Sequence, residues 1–133
     1  MDKIDLKILK ILKKNARTPY IKIAKTVGLT EGAIRRRVKI MLNEGIIAKF
    51  TIETASKTEA IVLIKTDPLK TERISLGLKE FSEKIFEISG DYDIAAFINS
   101  ESIEELNEKI DEIRTIDGIL NTNTLIKLTN RAG

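Results

Sequence analysis

Apolar residues in the first part of the chain recur every three or four positions, which is the spacing of amphipathic helices. One such stripe predicts a helix from Asp2 to Lys14 and consists of Ile4, Ile8, Ile11 and Leu12. Thr18 and Pro19 then provide an N-cap and a first-turn proline for a second helix. This helix is expected to run to about Thr26 and to end at Gly28.

A third helix and a strand complete the N-terminal pattern. Thr30 is the predicted N-cap of the helix, which runs to Leu42 or Asn43 with Ile34, Val38 and Met41 facing inward. Gly45 closes the helix. The β-branched run from Ile46 to Thr54 predicts a strand.

The residues around Gly28 have the spacing that a helix-turn-helix requires. Ala24 lets two helices cross closely, Gly28 takes the positive φ of the tight turn, and Leu29 and Ile34 fill the angle between the helices. A small three-helix bundle with a glycine turn would share this spacing. Three consecutive arginines on the third helix favour DNA binding, because guanidinium groups suit phosphates and guanine edges.

The charge distribution points the same way. Residues 1–50 contain nine Lys and four Arg against two Asp and two Glu, a net charge of +9, whereas residues 51–133 carry −6. This asymmetry suggests a polyanion partner for the N-terminal part only. The predicted contacts to double-stranded DNA are Glu31, Arg35, Arg36 and Lys39 on the third helix and Lys22 and Lys25 on the second.

The pattern after Thr54 alternates between strands and helices. The first four predicted elements are strand Ala60–Thr66, helix Pro68–Ser82, strand Lys84–Ser89 and strand Ile94–Asn99. A second helix begins at a capping box formed by Ser102 and Glu105, and its inward residues are Leu106, Ile110 and Ile113. The last element is strand Ile119–Leu128. The fold class is therefore α+β. A three-helix helix-turn-helix domain (residues 1–50) and a β-type connector (51–59) precede a βαββαβ ferredoxin-like domain (60–133).

Composition narrows the classes of function. The chain has no Cys, no apolar run near the roughly 20 residues that cross a bilayer, and no visible signal peptide, so we expect a cytoplasmic protein without membrane contact. An enzyme is disfavoured, because without His, Cys or a glycine-rich phosphate loop only carboxylate or lysine chemistry remains. We expect no catalytic site, no metal and no cofactor.

Ordered motifs along the chain resemble those of the Lrp/AsnC, or feast/famine, family of transcriptional regulators. They are the runs Met1–Leu9, Asn15–Arg17 and Ile23–Thr30, the residues Ile34, Arg37, Val38 and Leu42, the run Gly45–Ile47, and the turn Gly90-Asp91-Tyr92-Asp93 before an apolar strand. The chain is most similar to archaeal members, including lysine- and glutamine-responsive ones. The shortened connector and the run Ala16–Tyr20 carry this similarity, and the chain is somewhat shorter than a typical family member, mainly at the connector.

The resemblance implies a sequence-specific regulator of amino-acid metabolism, with lysine biosynthesis as the expected target. It implies a homodimer through the C-terminal sheets, with Ile46–Thr54 pairing across subunits, and assembly into tetramers or octamers. It also implies a free amino acid, such as lysine or glutamine, as effector, bound near the Gly90–Asp93 turn at the contact between dimers. The expected effector residues are Gly90, Asp91, Tyr92 and Asp93, with Asp93 for the ammonium group, and the hydroxyl donors Ser100, Thr122 and Thr124.

Two alternatives stay open at this point. The residues alone favour a tight turn with flanking aspartates, and threonines that suit strands, over a ligand site. The chain could also be an architectural protein that coats or bends DNA without an effector. Salt-dependent binding without sequence preference would favour that alternative, and a discrete operator would exclude it as the main role.

Overall fold

The computed structural model describes residues 1–55, 58–129 and 131. Ser56 and Lys57 of the predicted connector, and Asn130, Ala132 and Gly133 at the end of the predicted second domain, lie outside the described residues. The chain divides into two compact units, Met1–Glu53 and Thr54–Gly133. In the part of the chain that is described, no helix is long and apolar enough to cross a membrane.

The N-terminal unit is built from three helices: α1 (Lys3–Lys14), α2 (Tyr20–Val27) and α3 (Glu31–Asn43). Their stripes meet in one core, which consists of Ile8, Leu12, Ile23, Ala24, Ile34, Val38 and Met41. Gly28 ends α2 at φ +75°, and its N–H donates to the Ala24 carbonyl at 2.8 Å. The predicted helix-turn-helix fold is confirmed.

The helix caps agree with the sequence at α3 and differ at α2. The Thr30 hydroxyl accepts from the Ala33 N–H at 3.1 Å, as its predicted N-cap role requires. Thr18 is not the N-cap of α2, because Pro19 occupies that position. The Thr18 hydroxyl donates instead to the Asn15 carbonyl at 2.7 Å, within the turn that follows α1.

The strand predicted for Ile46–Thr54 does not form within the single chain: Ile46 and Ile47 lie in a bend, and the segment belongs to no sheet among the described residues. Its pairing across subunits stays a prediction. Strand propensity needs a neighbouring strand to accept and donate hydrogen bonds, and this unit offers none. Ile47 packs against the helical core, whereas Phe50 and Ile52 are 46% and 81% exposed.

The second unit is a four-stranded antiparallel sheet with two helices. Its elements are β1 (Thr58–Thr66), α4 (Thr71–Gly77) with a 3-10 turn at Leu78–Glu80, β2 (Lys84–Glu87), β3 (Ile94–Ser100), α5 (Ile103–Arg114) and β4 (Ile119–Ile126). The strand order β2-β3-β1-β4 is that of the ferredoxin-like fold. This confirms the predicted fold class.

Two local predictions in this unit are corrected. The helix predicted from Pro68 begins only at Thr71, because Asp67 folds the chain into a turn, accepting from the Leu69 N–H at its carboxylate and from the Lys70 N–H at its carbonyl. The capping box of α5 is half formed. Ser102 accepts from the Glu105 N–H at 3.1 Å, but the Glu105 carboxylate accepts from the Glu101 N–H.

The helices of this unit pack against one face of the sheet. The core face carries Ala60, Val62, Ile64, Ile94, Ala96 and Ile98, which pack with side chains of α4 and α5. On the opposite face, which we call the open face, β-strand register aligns the apolar side chains Ile61, Leu63, Phe86, Phe97 and Leu125. The Phe86 and Phe97 rings pack edge to face at 5.7 Å. Among the described residues of this unit, no helix covers the open face.

Candidate nucleic-acid interface and effector turn

The outer face of α3 follows from the helical period. Because successive residues turn by about 100°, the buried positions Ile34, Val38 and Met41 define one side of the helix. Gly32, Arg36 and Lys39 lie on the opposite side and are exposed. Arg35 and Arg37 lie at its two edges, so three neighbouring arginines have three different surroundings.

Arg37 connects α3 to the start of α1. Its guanidinium donates to Asp2 at 2.7 Å and to Asp5 at 3.0 Å, and these two carboxylates also form the capping box of α1. The hydrogen bond from Arg37 lowers the pKa of Asp2, and the hydrogen bond to Asp2 raises the pKa of Arg37. Sequence reasoning missed this cluster, although acidic residues at the start of a helix, here the N-cap Asp2 and the first-turn Asp5, are a signal for it.

Arg35 lies at the α2 edge of the outer face. Its Nη2 donates to the Glu31 carboxylate at 2.8 Å, one helical turn earlier. The guanidinium carbon lies 5.2 Å from the centre of the Tyr20 ring, a cation–π distance. Two predicted DNA contacts, Glu31 and Arg35, are therefore bonded to each other, and Tyr20 is a neighbour that sequence reasoning did not find.

Arg36 and Lys39 are the exposed cations in the middle of the outer face. Among the described residues, neither forms an ion pair or a side-chain hydrogen bond. Arg36 lines an open groove of about 580 Å³ together with Asp5, Gly32, Ala33, Arg37 and Ile40. Lys22 and Lys25 on α2 are likewise exposed and take part in no ion pair within the described ranges. Such cations can bind phosphate oxygens or base edges.

The second candidate site is the turn between β2 and β3. Gly90 has φ +130°, and the loop closes where the Ile88 N–H donates to the Asp93 carbonyl at 2.9 Å. Asp91 is exposed, and its carboxylate has no partner among the residues described. Tyr92 is half-buried.

Asp93 is occupied by contacts within its own unit. Its carboxylate accepts from the Thr66 N–H at 2.8 Å and lies 3.7 Å from the Lys65 ammonium. The backbone hydrogen bond from Thr66, followed by the charge of Lys65, lowers the pKa of Asp93. The Thr66 hydroxyl is hydrogen-bonded to that of Thr71 at 2.6 Å. Asp93 thus ties the end of β1 to the start of β3.

The other predicted effector residues do not all gather around this turn. Ser100 is at the far end of β3, six residues from Ile94 and hence about 20 Å away. Thr122 stands opposite Ile64, two strands from β3, and its hydroxyl accepts from Arg114 at 3.1 Å. Thr124 stands opposite Val62 on the core face. Within one chain, only Gly90, Asp91, Tyr92 and Asp93 form one cluster.

Comparisons with known proteins bear on both regions. Residues 1–48 match the winged helix-turn-helix DNA-binding family. The chain is 44% identical to the HTH-type transcriptional regulator LysM of Saccharolobus solfataricus, over 96% of this chain and 94% of that protein. It superposes on AsnC of E. coli with a TM-score of 0.82 at 29% identity, covering all of this chain and 95% of that one.

A further solved structure contains a ligand. It is a transcriptional regulator of Neisseria meningitidis in complex with L-Met, with a TM-score of 0.85 and 18% identity, covering all of this chain and 93% of that one. At this identity the likeness shows a shared fold.

Proposed function

Because the chain belongs to the Lrp/AsnC family of transcriptional regulators, we propose that it recognises a discrete operator sequence through the outer face of α3. The observation that carries this proposal is the pair of exposed cations, Arg36 and Lys39, without partners in the described chain. Arg35 lies beside them at the α2 edge. Guanidinium groups on a helix that enters the major groove can read guanine edges, and Lys22 and Lys25 are available for phosphates.

The test begins with DNA selected by the protein itself. Short duplexes with a random central segment are selected for binding, and the tightest is compared with an unselected duplex. We expect a pseudo-palindrome with half-sites about one helical turn apart or a multiple of it. The Arg35→Ala and Arg36→Ala changes should each cost about 1–3 kcal/mol on the selected duplex and little on the unselected one. Selection without any preferred sequence would favour the architectural alternative.

We also propose a homodimer that packs the open faces of two sheets together. Ile61, Leu63, Phe86, Phe97 and Leu125 form a contiguous apolar surface, and apolar patches of this kind mark interaction sites. Phe86 and Leu125 are about half exposed in the single chain. The unpaired segment Ile46–Thr54 would gain its missing strand partner from the other subunit.

A matched pair of substitutions tests the dimer. Leu125→Asp places a charge on the open face, whereas Leu76→Asp places one on α4, where the leucine is similarly exposed. Sedimentation at micromolar concentration should show a monomer for Leu125→Asp and an unchanged assembly for Leu76→Asp. A monomeric parent protein would contradict the proposal. The parent's mass also distinguishes a dimer from a tetramer or octamer.

An amino-acid effector at the Gly90–Asp93 turn is the third part of the proposal. An α-amino acid needs a carboxylate for its ammonium group and N–H or hydroxyl donors for its own carboxylate. The Asp91 carboxylate has no partner within the described chain and is available to an ammonium group, whereas the Asp93 carboxylate already accepts a hydrogen bond from the Thr66 N–H. A polar effector such as lysine or glutamine suits this turn better than an aliphatic one, and lysine biosynthesis is the first target to examine.

Calorimetry with each of the twenty amino acids tests the effector. Asp91→Asn should weaken binding, with Asp111→Asn on the exposed side of α5 as the control. A regulatory effector should change DNA affinity or assembly by about 1–3 kcal/mol. If no amino acid binds at millimolar concentration, this part is wrong and the DNA-binding part stands.

A further inference from the structure

We infer that Tyr20 is a positioning residue for operator recognition: its ring, together with the Glu31 carboxylate, holds the Arg35 guanidinium at the DNA-facing edge of α3. This inference rests on the proposed reading of DNA by α3. It assigns to a residue of α2 a role that acts through Arg35. The basis is the contact between Arg35 and two different groups, one on α2 and one on α3.

The geometry restricts Arg35 from two directions. The guanidinium carbon is 5.2 Å from the centroid of the Tyr20 ring, so the ring face limits movement of the guanidinium toward α2. Glu31 Oε1 accepts from Nη2 at 2.8 Å and fixes the rotation of the group. Arg35 is nevertheless 64% exposed, so the remaining N–H groups stay accessible. A guanidinium has five donors, and one hydrogen bond to Glu31 leaves enough for a bidentate contact.

Tyr20 is itself held in place. It is partly buried and packs against the core of the helix-turn-helix unit, at the first position of α2. A partly buried ring provides a rigid support, whereas an exposed arginine without support samples many rotamers. Ordering such a side chain when DNA binds reduces the affinity, and an arginine that is already ordered avoids much of that loss. Tyr20 and Glu31 therefore raise the affinity for the operator sequence, in which Arg35 contacts the DNA.

The experiment compares Tyr20→Leu with Tyr20→Phe on the selected duplex and on an unselected duplex. Leucine keeps apolar packing and removes the ring face, while phenylalanine keeps the ring and removes only the hydroxyl. We expect Tyr20→Leu to weaken binding to the selected duplex by about two- to tenfold, with little change on the unselected duplex. Tyr20→Phe should bind as the parent does.

A double substitution shows whether Tyr20 acts through Arg35. In an Arg35→Ala background, Tyr20→Leu should cause no further loss on the selected duplex. An equal loss in both backgrounds would overturn the inference, as would equal losses on the two duplexes. If Tyr20→Leu is unfolded at the assay temperature, Glu31→Gln decides, because it weakens the second restraint and leaves the core intact. Glu31→Gln should then give a smaller loss that also vanishes in Arg35→Ala.

The proposed function fails in a different way. If Arg35→Ala itself binds the selected duplex as the parent does, Arg35 does not read DNA, and the proposed recognition of DNA by α3 through this residue is wrong. If Arg35→Ala loses affinity and Tyr20→Leu does not, only the positioning role of Tyr20 is wrong.

Discussion

The Asp93 carboxylate accepts a hydrogen bond from the backbone N–H of Thr66 at 2.8 Å, while the Asp93 N–H donates to the Ile64 carbonyl at 2.9 Å. Residues 64 and 66 point their backbone groups toward the same neighbouring strand. The side chain of Asp93 therefore adds one further hydrogen bond to the β1–β3 ladder, at the position just before β3 begins.

This contact gives the first prediction, which concerns pH. The pKa of Asp93 is lowered in the folded protein, so its contribution to stability is complete above the unfolded value of about 3.9 and is lost as pH falls through the lower folded value. Thermal unfolding of Asp93→Asn should therefore depend less on pH below about pH 4 than that of the parent. The parent and the variant would show the same pH dependence if the Asp93 carboxylate did not accept the hydrogen bond from Thr66.

A second prediction concerns Gly32, in the first turn of α3. Its φ is not positive, and a Cβ built there meets no atom within 4 Å, so nothing in the described chain requires glycine. Gly32→Ala should stabilise the protein by about 0.4–1 kcal/mol. It should also weaken binding to the selected duplex several-fold, because the methyl group holds α3 away from the base edges.

Gly77 provides the matched control. It ends α4, has φ −69°, and also has open space at its Cβ. Gly77→Ala should give a similar gain in melting temperature without any change in DNA binding. Equal operator affinity for Gly32→Ala and the parent would refute close approach at Gly32.

A third prediction separates two glycines of positive φ in the second unit. At Gly118 (φ +97°) a Cβ would lie 2.7 Å from Lys70 Cδ and 3.2 Å from Ile74 Cδ1, whereas at Gly90 (φ +130°) it meets nothing within 4 Å. Both Ala variants strain the backbone, but only Gly118→Ala also displaces packed atoms. We expect Gly118→Ala to lower the melting temperature more than Gly90→Ala does. The reverse order would contradict the packing seen around Gly118.

The fourth prediction contrasts adjacent arginines. Arg37→Ala removes both ion pairs to α1 and should speed amide hydrogen exchange in the first turn of α1. Arg36→Ala should leave that exchange unchanged and reduce operator affinity. Exchange measured on both variants at one pH, with duplex binding in parallel, checks the two roles. If amide hydrogen exchange became faster in Arg36→Ala and not in Arg37→Ala, the roles assigned to the two arginines would be wrong.

The sequence by itself determined the elements whose signal is local. The apolar period placed the inward residues of α3 and α5 correctly, and Thr30 and Gly28 marked helix ends, because hydrophobic spacing and caps act within a few residues. The ferredoxin-like order of strands also followed from the alternation of elements. The strand at Ile46–Thr54 does not form within the single chain for the complementary reason, since a strand depends on a partner that propensity does not supply, and its pairing across subunits stays a prediction.

Only the tertiary structure decided how side chains distant in sequence use their charge. Three consecutive arginines look alike in sequence, yet one contacts Asp2 and Asp5, one contacts Tyr20 and Glu31, and Arg36 remains free within the described residues. Within one chain, Ser100 and the turn that contains Asp93 lie at opposite ends of β3, a distance that the sequence alone did not give. Helical and strand periods fix which face a residue is on, whereas ion pairs and site membership depend on how separate elements pack.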